Sequence, residues 1–295
     1  MRIAVTGGAG FIGRSLVPAL IAGGHSVVVL DNERRGSLAS PALTGAECIR
    51  GDIRDRGDCR AALAGSDAVV HLAAQANVMG SESDPDYTFD TNVTGTWNAA
   101  RAAIDAGVGR FVFASSREVY GEPTCLPVRE DHPLRGKNLY GATKIAGEAA
   151  LQGAQAAGLS VAVIRLANVI GRGDSGRVVP NWLTAAATGQ PLVVYGGAQI
   201  LDFIPLETVV AAIQRVLAPG EIDTPVNIGS GVQTSLRELA QRVQAIYPQA
   251  TLHVEPSRGP EVTAFCADTT RMRTLLGVMP PADPLASLAC YVASA

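Results

Sequence analysis

Tyr140-Gly-Ala-Thr-Lys144 sets a phenol and an amine four residues apart at the start of a stretch that reads as a helix through Ala157. Residues at that spacing share one helix face. An ammonium beside a tyrosine favours the phenolate, which makes Tyr140 a usable base near neutral pH. Surface helices carry such pairs too, so the pair alone decides little. Ser115 and Ser116 add weight, because they close the apolar run that precedes it in the chain. A hydroxyl, a phenol and an amine then meet at one edge of a sheet, and such a set can take a proton from an alcohol.

A second constellation lies near the N-terminus. Thr6-Gly-Gly-Ala-Gly-Phe-Ile-Gly13 places Gly7, Gly10 and Gly13 after an apolar strand and before a helical pattern, the context of a dinucleotide site. Glycine permits the tight turn and close backbone approach, and a helix N-terminus attracts a pyrophosphate. A plain strand-to-helix turn would use the same glycines. Asp31 tips the balance: it ends the second strand, 18 residues beyond Gly13. A carboxylate there accepts both hydroxyls of an adenosine ribose and repels a 2′-phosphate, which favours NAD over NADP. Arg34 and Arg35 follow, and a guanidinium could hold that phosphate or simply face solvent. Asp52-Ile53, after the third strand, is placed to meet the adenine, with the acidic start of a helix at Asp55 as the plainer alternative.

Positioning these residues takes an alternating frame. Apolar runs at Arg2–Thr6, Ser26–Asp31, Glu47–Arg50, Asp67–His71, Arg110–Ser115 and Val161–Ala167 alternate with helical stretches at Phe11–Ala22, Asp55–Ala64, Tyr87–Ala106 and Tyr140–Ala157. Runs without polar alternation indicate a sheet covered on both faces. Right-handed crossovers then give an α/β, doubly wound parallel sheet of the Rossmann type over residues 1–168. After Asn168 the rhythm breaks. Helical patterns at Pro180–Thr188 and Pro205–Leu217, extended runs at Pro191–Tyr195 and Pro225–Ile228, and a capping box at Ser235-Leu-Arg-Glu238 follow. Residues 169–295 thus read mainly as a smaller α/β substrate-binding lobe, with some segments returning to the main domain.

The 295 residues are 47% apolar and 17% charged, a balance that excludes a disordered chain. A formal charge of −3 offers no broad attraction to nucleic acid or to an anionic membrane. No apolar run reaches the ~18 residues of a membrane span, and Met1-Arg2 leads straight into a strand without a signal-peptide pattern. The five cysteines, Cys48, Cys59, Cys125, Cys266 and Cys290, are scattered and form no C-x-x-C pair. They read as free thiols of a cytoplasmic protein. The four histidines are too dispersed to suggest a metal centre.

Taken in order, Thr6–Gly13, Asp31-Asn32, Gly51-Asp52-Ile53, His71-Leu-Ala-Ala-Gln75, Asn92-Val-Thr-Gly-Thr96, Ser115–Gly121, Tyr140–Lys144 and Arg165–Gly171 resemble the extended short-chain dehydrogenase/reductase family of NAD-dependent nucleotide-sugar epimerases and dehydratases. The likeness covers nearly the whole chain and is greatest to the UDP-glucose/UDP-galactose 4-epimerase group. It implies that Tyr140 takes a sugar hydroxyl proton. Lys144 would lower its pKa and bind the nicotinamide ribose, and Ser116 would hydrogen-bond the reacting oxygen. Hydride would pass from sugar C4 to a tightly held NAD and return to the other face of a 4-keto intermediate. The implied cofactor contacts are Gly7, Gly10, Phe11, Ile12, Gly13, Asp31, Asn32, Asp52, Ile53, Leu72, Ala73, Ala74, Asn92, Ser115, Tyr140 and Lys144. For a nucleotide-diphosphate sugar, Asn168 and Arg258 would meet the diphosphate, and Val193 and Tyr195 would lie beside the nucleobase. The family commonly pairs the alanine-rich helices beginning near Tyr87 and Tyr140 into a homodimer.

Two positions depart from the family pattern. Family members commonly carry an arginine that grips the diphosphate just before the Asp-Phe/Tyr step of the small lobe, but Leu201 precedes Asp202-Phe203 here. The substrate is then held differently, its pyrophosphate is met by Arg172 or Arg177, or the activity is weakened, and the sequence leaves these alternatives open. The other departure is Ser116-Arg117-Glu118. A glutamate at that place resembles the 4,6-dehydratases, where it removes a C5 proton, and the UDP-glucuronate decarboxylases. Its preceding neighbour in dehydratases is often an aspartate acid, whereas Arg117 gives up no proton near neutral pH. Arg117 could instead pair with a substrate carboxylate, which would point to a UDP-hexuronic acid. Strand alternation cuts against that, since residues 116 and 118 share a face that 117 does not. A salt bridge of Arg117 to Glu118, Glu122 or a loop is the plainer reading. Epimerisation leads; elimination or decarboxylation through Glu118 is the alternative. A catalytically silent NAD sensor, with Leu201 as its best support, is the non-enzyme reading.

Overall fold

Successive residues of a strand point to opposite faces, and here both faces are apolar. Ile3 and Val5 enter one buried cluster while Ala4 enters another; Val112 and Ala114 part from Phe111 and Phe113 in the same way. The strands therefore stack as the middle layer of three. In chain order they are β1 (Arg2–Thr6), β2 (Ser26–Asp31), β3 (Glu47–Arg50), β4 (Ala68–His71), β5 (Arg110–Ser116) and β6 (Val161–Leu166). The computed structural model describes residues 1–218, 222, 224–257, 259 and 261–291.

Helices α1 (Gly13–Ala22) and α2 (Arg56–Leu63) cover opposite faces. Between β4 and β5 the chain forms α3 (Val78–Ser83), α4 (Pro85–Phe89), a π-helical turn over Asp90–Gly95, and α5 (Thr96–Asp105). The single helix read over Tyr87–Ala106 is thus divided. In the turn, the buried Asn92 amide takes a hydrogen bond from Gln75 N and gives others to Gln75 O and the Thr143 hydroxyl. Helix α6 (Leu139–Ala156) starts at Asn138, whose side-chain oxygen accepts from Gly141 N at 2.8 Å, a cap that fixes the first turn.

The rest of the chain comprises β7 (Asn168–Ile170), α7 (Val178–Ala187), β8 (Leu192–Tyr195), β9 (Ile200–Leu201), β10 (Phe203–Pro205), α8 (Leu206–Leu217), β11 (Val226–Ile228), β12 (Thr234–Ser235), α9 (Leu236–Ile246), β13 (Leu252–Glu255) and α10 (Thr270–Leu276). Helix α8 packs with α1, and β11 pairs in parallel with β6. The seven-stranded order is β3-β2-β1-β4-β5-β6-β11. A separate apolar cluster joins Trp182, Leu192, Phe203, Leu239 and Val243. Asp202 ties these parts together: its buried carboxylate accepts from the amides of Ser230, Gly231 and Ala267 and from the Ser230 hydroxyl. Among the described residues no helix is long and apolar enough to cross a membrane.

Candidate active site

Strand order reverses between β1 and β4, and ligands of such sheets bind beyond the carboxyl ends at that point. One cavity of about 640 Å³ opens there and runs out to α7 and β8. Its inner end is built of backbone. Gly7 adopts φ +71°, and a Cβ on it would come 2.6 Å from the Ala73 amide nitrogen; one on Gly13 would overlap the Gly8 carbonyl. No side chain caps α1 and no acid sits in its first turn, so its positive end is left for an anion. Gly10, Phe11, Ile12, Leu72, Ala73 and Ala74 complete this wall.

Asp31 is fixed at the tip of β2. One carboxylate oxygen accepts from Ala9 N at 3.0 Å and the other from Glu33 N at 2.8 Å. Burial raises its pKa, and those two amides oppose the rise. Arg34 and Arg35 both line the cavity with Asn32 and Ile53, and Arg34 is held there, paired with Asp84 at 2.8 Å and stacked on the Tyr87 ring at 3.7 Å. Asp52 and Asn92 stand elsewhere. Burial works against the Asp52 charge, yet hydrogen bonds from Arg54 and Asn32 bring its pKa down to about 2. Asn92 lies behind the wall in the π-helical turn and ties it to α6.

The end of β5 holds α6 residue by residue. The Ala114 carbonyl accepts from Lys144 Nζ at 2.8 Å, and Ser115 Oγ donates to Glu148 Oε1. Next in line, Ser116 lines the same cavity as Tyr140, close enough for its hydroxyl to favour the phenolate. Burial pushes the Tyr140 pKa up, against the pull of Ser116 and of Arg177. Lys144 is brought down to about 8 by burial, against the opposing pull of Glu148. Its ammonium sits 4.8 Å from the centroid of the Phe113 ring and 5.9 Å from that of Tyr140. Ser115 borders the cavity, but its hydroxyl is committed to Glu148.

Strand β5 stops at Ser116, and Arg117–Tyr120 form a 3₁₀ turn. Alternation therefore ends before it can separate the two side chains: both Arg117 and Glu118 line the cavity, which corrects the face assignment made for 117. The anticipated salt bridge is present, with Arg117 Nη2 to Glu118 Oε1 at 2.9 Å. The second Glu118 oxygen accepts from Asn138 Nδ2 at 2.8 Å.

Asn168, Val193, Tyr195 and Leu201 line the outer end, together with Arg177. Arg177 pairs with Asp174 at 3.1 Å and lies 5.5 Å from the Phe11 ring centroid. Arg172 is spent elsewhere, donating to the Cys290 carbonyl at 3.0 Å. Arg258 lies outside the described residues. Sequence reading missed Arg14, which borders the cavity and donates to Gly173 O at 3.1 Å, and Asn138, whose place two residues before Tyr140 is a readable cap signal. Among the described residues no group of three or more His, Cys, Asp or Glu side chains could hold a metal ion.

Residues 3–229 match the model of the NAD dependent epimerase/dehydratase family. The chain belongs to this family. Among epimerase/dehydratase relatives, the UDP-glucose 4-epimerase of Mycolicibacterium smegmatis is 36% identical over 295 residues, spanning 95% of this chain and 94% of that one. The structure of the Thermotoga maritima UDP-glucose 4-epimerase with UDP-glucose superposes with a TM-score of 0.92 at 30% identity, covering 99% and 97% of the two chains. A dTDP-glucose 4,6-dehydratase from Streptomyces venezuelae with NAD bound gives 0.92 at 31% identity, covering 99% and 96%. NAD is the cofactor of the epimerase/dehydratase family, and this chain fits it: the glycine cradle excludes side chains, and Asp31 is oriented by two amides.

Proposed function

We propose that the chain is a nucleotide-sugar 4-epimerase, an isomerase that works through a transient 4-keto sugar. The observation that carries this reading is one continuous cavity. Ser116, Tyr140 and Lys144 stand in its wall between the glycine cradle and the outer end at Asn168, Val193 and Tyr195. In this reading Tyr140 takes the proton of the sugar C4 hydroxyl, Ser116 holds that oxygen, and Lys144 binds ribose. Bound NAD supplies the acceptor and donor for the C4 hydride and a positive ring charge that favours the Tyr140 phenolate. Relatives named for UDP-glucose and dTDP-glucose chemistry support a nucleotide-diphosphate sugar as substrate.

Arg177 is the diphosphate cation in this proposal, because Leu201 is uncharged and Arg172 is held by the Cys290 carbonyl. Arg258 is kept as a second contact on the sequence pattern alone. Both Glu118 oxygens are engaged, by Arg117 and Asn138, which supports return of the hydride over removal of a C5 proton. Because Glu118 still lines the cavity, dehydration or decarboxylation is the second reading. We further propose a cytoplasmic homodimer; exposed Cys48, Cys125 and Cys290 suit a reducing compartment.

Product analysis by proton NMR tests the proposal. The purified protein with NAD would meet UDP-glucose, UDP-N-acetylglucosamine, UDP-glucuronate and dTDP-glucose separately. The expected result is a C4-epimeric sugar, lost by at least ~100-fold in Tyr140→Phe. A 4-keto-6-deoxy sugar or a pentose would replace epimerisation with the Glu118 reading. NAD binding without any reaction would leave a silent NAD sensor.

A further inference from the structure

Of the residues that β5 holds, Glu148 has no part in the chemistry proposed above, yet it is buried and charged. Its carboxylate receives the Ser115 hydroxyl and, in fork geometry, Arg165 Nε at 3.0 Å and Nη2 at 2.7 Å. Arg165 is itself anchored, its Nη1 donating to the Tyr120 hydroxyl and the Glu130 carbonyl. Tyr140, Lys144 and Glu148 recur every four residues on the buried face of α6. The chain thus keeps a carboxylate one turn beyond a buried ammonium, in a place water does not reach. Burying a lone ammonium favours its neutral form.

We propose that Glu148 is a positioning residue for the Tyr140–Lys144 pair: clamped by Ser115 and Arg165, its carboxylate keeps Lys144 charged inside the fold. The inference rests on the epimerase reading for its bearing on catalysis, but its physical content is independent of any substrate. The groups that face Lys144 are few. They are Tyr140 and Glu148 on α6 and His71 on β4, with Arg165 on β6 held beyond Glu148, while Arg117 and Glu118 in the 3₁₀ turn act on Tyr140. Other charged residues on the elements packed against α6, namely Glu82, Asp86, Asp90, Arg101 and Asp105, are exposed, and Arg110, at the far end of β5, is half-buried and donates to the Ser160 hydroxyl. Glu148 is the carboxylate that acts on Lys144, against its burial.

The chain contains two lysines, Lys137 and Lys144, so protein grown on carbon-13 lysine gives two side-chain signals, assigned through Lys137→Arg. The Lys144 signal of the purified protein should titrate near pH 8. Glu148→Gln keeps the shape and removes the charge, and should lower that midpoint by about one unit, a roughly tenfold change in the ammonium-to-amine ratio. Arg165→Gln removes the opposing charge and should raise it. A role confined to packing would lower the melting temperature in both variants and move neither midpoint. A Glu148→Gln midpoint within ~0.2 units of wild type, or movement in the same direction in both variants, overturns the proposal. Should neither variant fold, the wild-type Glu148 carboxyl carbon decides: its shift should inflect at the Lys144 midpoint, and a flat trace rejects the coupling. A moved midpoint in a protein that converts none of the sugars sinks the epimerase reading and leaves this one standing.

Discussion

His71, at the tip of β4, is built to be neutral. Its Nδ1 lies 2.8 Å from Thr6 Oγ1 and its Nε2 3.2 Å from Thr96 Oγ1. Thr96 gives its own proton to the Asn92 carbonyl at 2.7 Å, so Nε2–H donates to Thr96 and Nδ1 accepts from Thr6. Burial, and then the Lys144 charge, push its pKa down to about 3. Unfolded histidine titrates near ~6.5, so below that pH the unfolded chain binds a proton that the folded one refuses. Stability should therefore fall with pH from about 6.5 downward, by about 1.4 kcal/mol per unit. Between pH 7 and pH 5, wild type should lose about 2 kcal/mol more than His71→Asn in urea unfolding. Parallel curves would show that the site accepts a charged ring. Tyr140, Lys144, Ser116 and Asp31 were legible because short fixed spacings carry them. Glu148 was not. It reads as an ordinary helix acid, since its partners Ser115 and Arg165 are 33 and 17 residues away.

Gly13 and Gly153 set the contrast at the scale of elements. A methyl on Gly13 would overlap the backbone of Gly8 where α1 leaves the glycine turn, whereas Gly153 in α6 has nothing within 4 Å. Gly13→Ala should cost about 2 kcal/mol or more, as forced overpacking does, and should release NAD. Gly153→Ala should stabilise by ~0.5–1 kcal/mol through helix propensity. Denaturant midpoints and retained NAD read both, and a harmless Gly13→Ala would mean that the turn relaxes freely. The main strands and α1, α2 and α6 follow from periodicity to within a few residues. The broken helix before β5 does not, because the π-helical turn is stabilised by the distant backbone of Gln75 and the hydroxyl of Thr143. Strands of two or three residues such as β9, β10 and β12 exist only through their partners, and no local pattern announces them. Arg117 was misplaced because the sequence does not mark where β5 yields to a 3₁₀ turn.

At the scale of the whole molecule, the α3–α6 face leaves Met79, Phe89 and Trp97 exposed at 44%, 53% and 36%. Exposed Ala142 and Ala149, seven apart on α6, add small residues that let another helix approach. A homodimer through this face predicts twice the chain mass by sedimentation equilibrium, with Phe89→Glu and Trp97→Glu shifting the protein to monomer. A wild-type chain that remains monomeric at micromolar concentration would count against it. The position of β11 carries a different consequence, one of timing. Residues 226–228 complete the sheet beside β6, although β6 ends at Leu166. During synthesis the Rossmann half leaves the ribosome with that strand edge unpaired until the chain as far as Ile228 has followed. Open edges invite pairing with other chains. The interval between Leu166 and Val226 is thus when a nascent chain most needs protection, and slow translation across it should raise aggregation more than the same delay after Ile228.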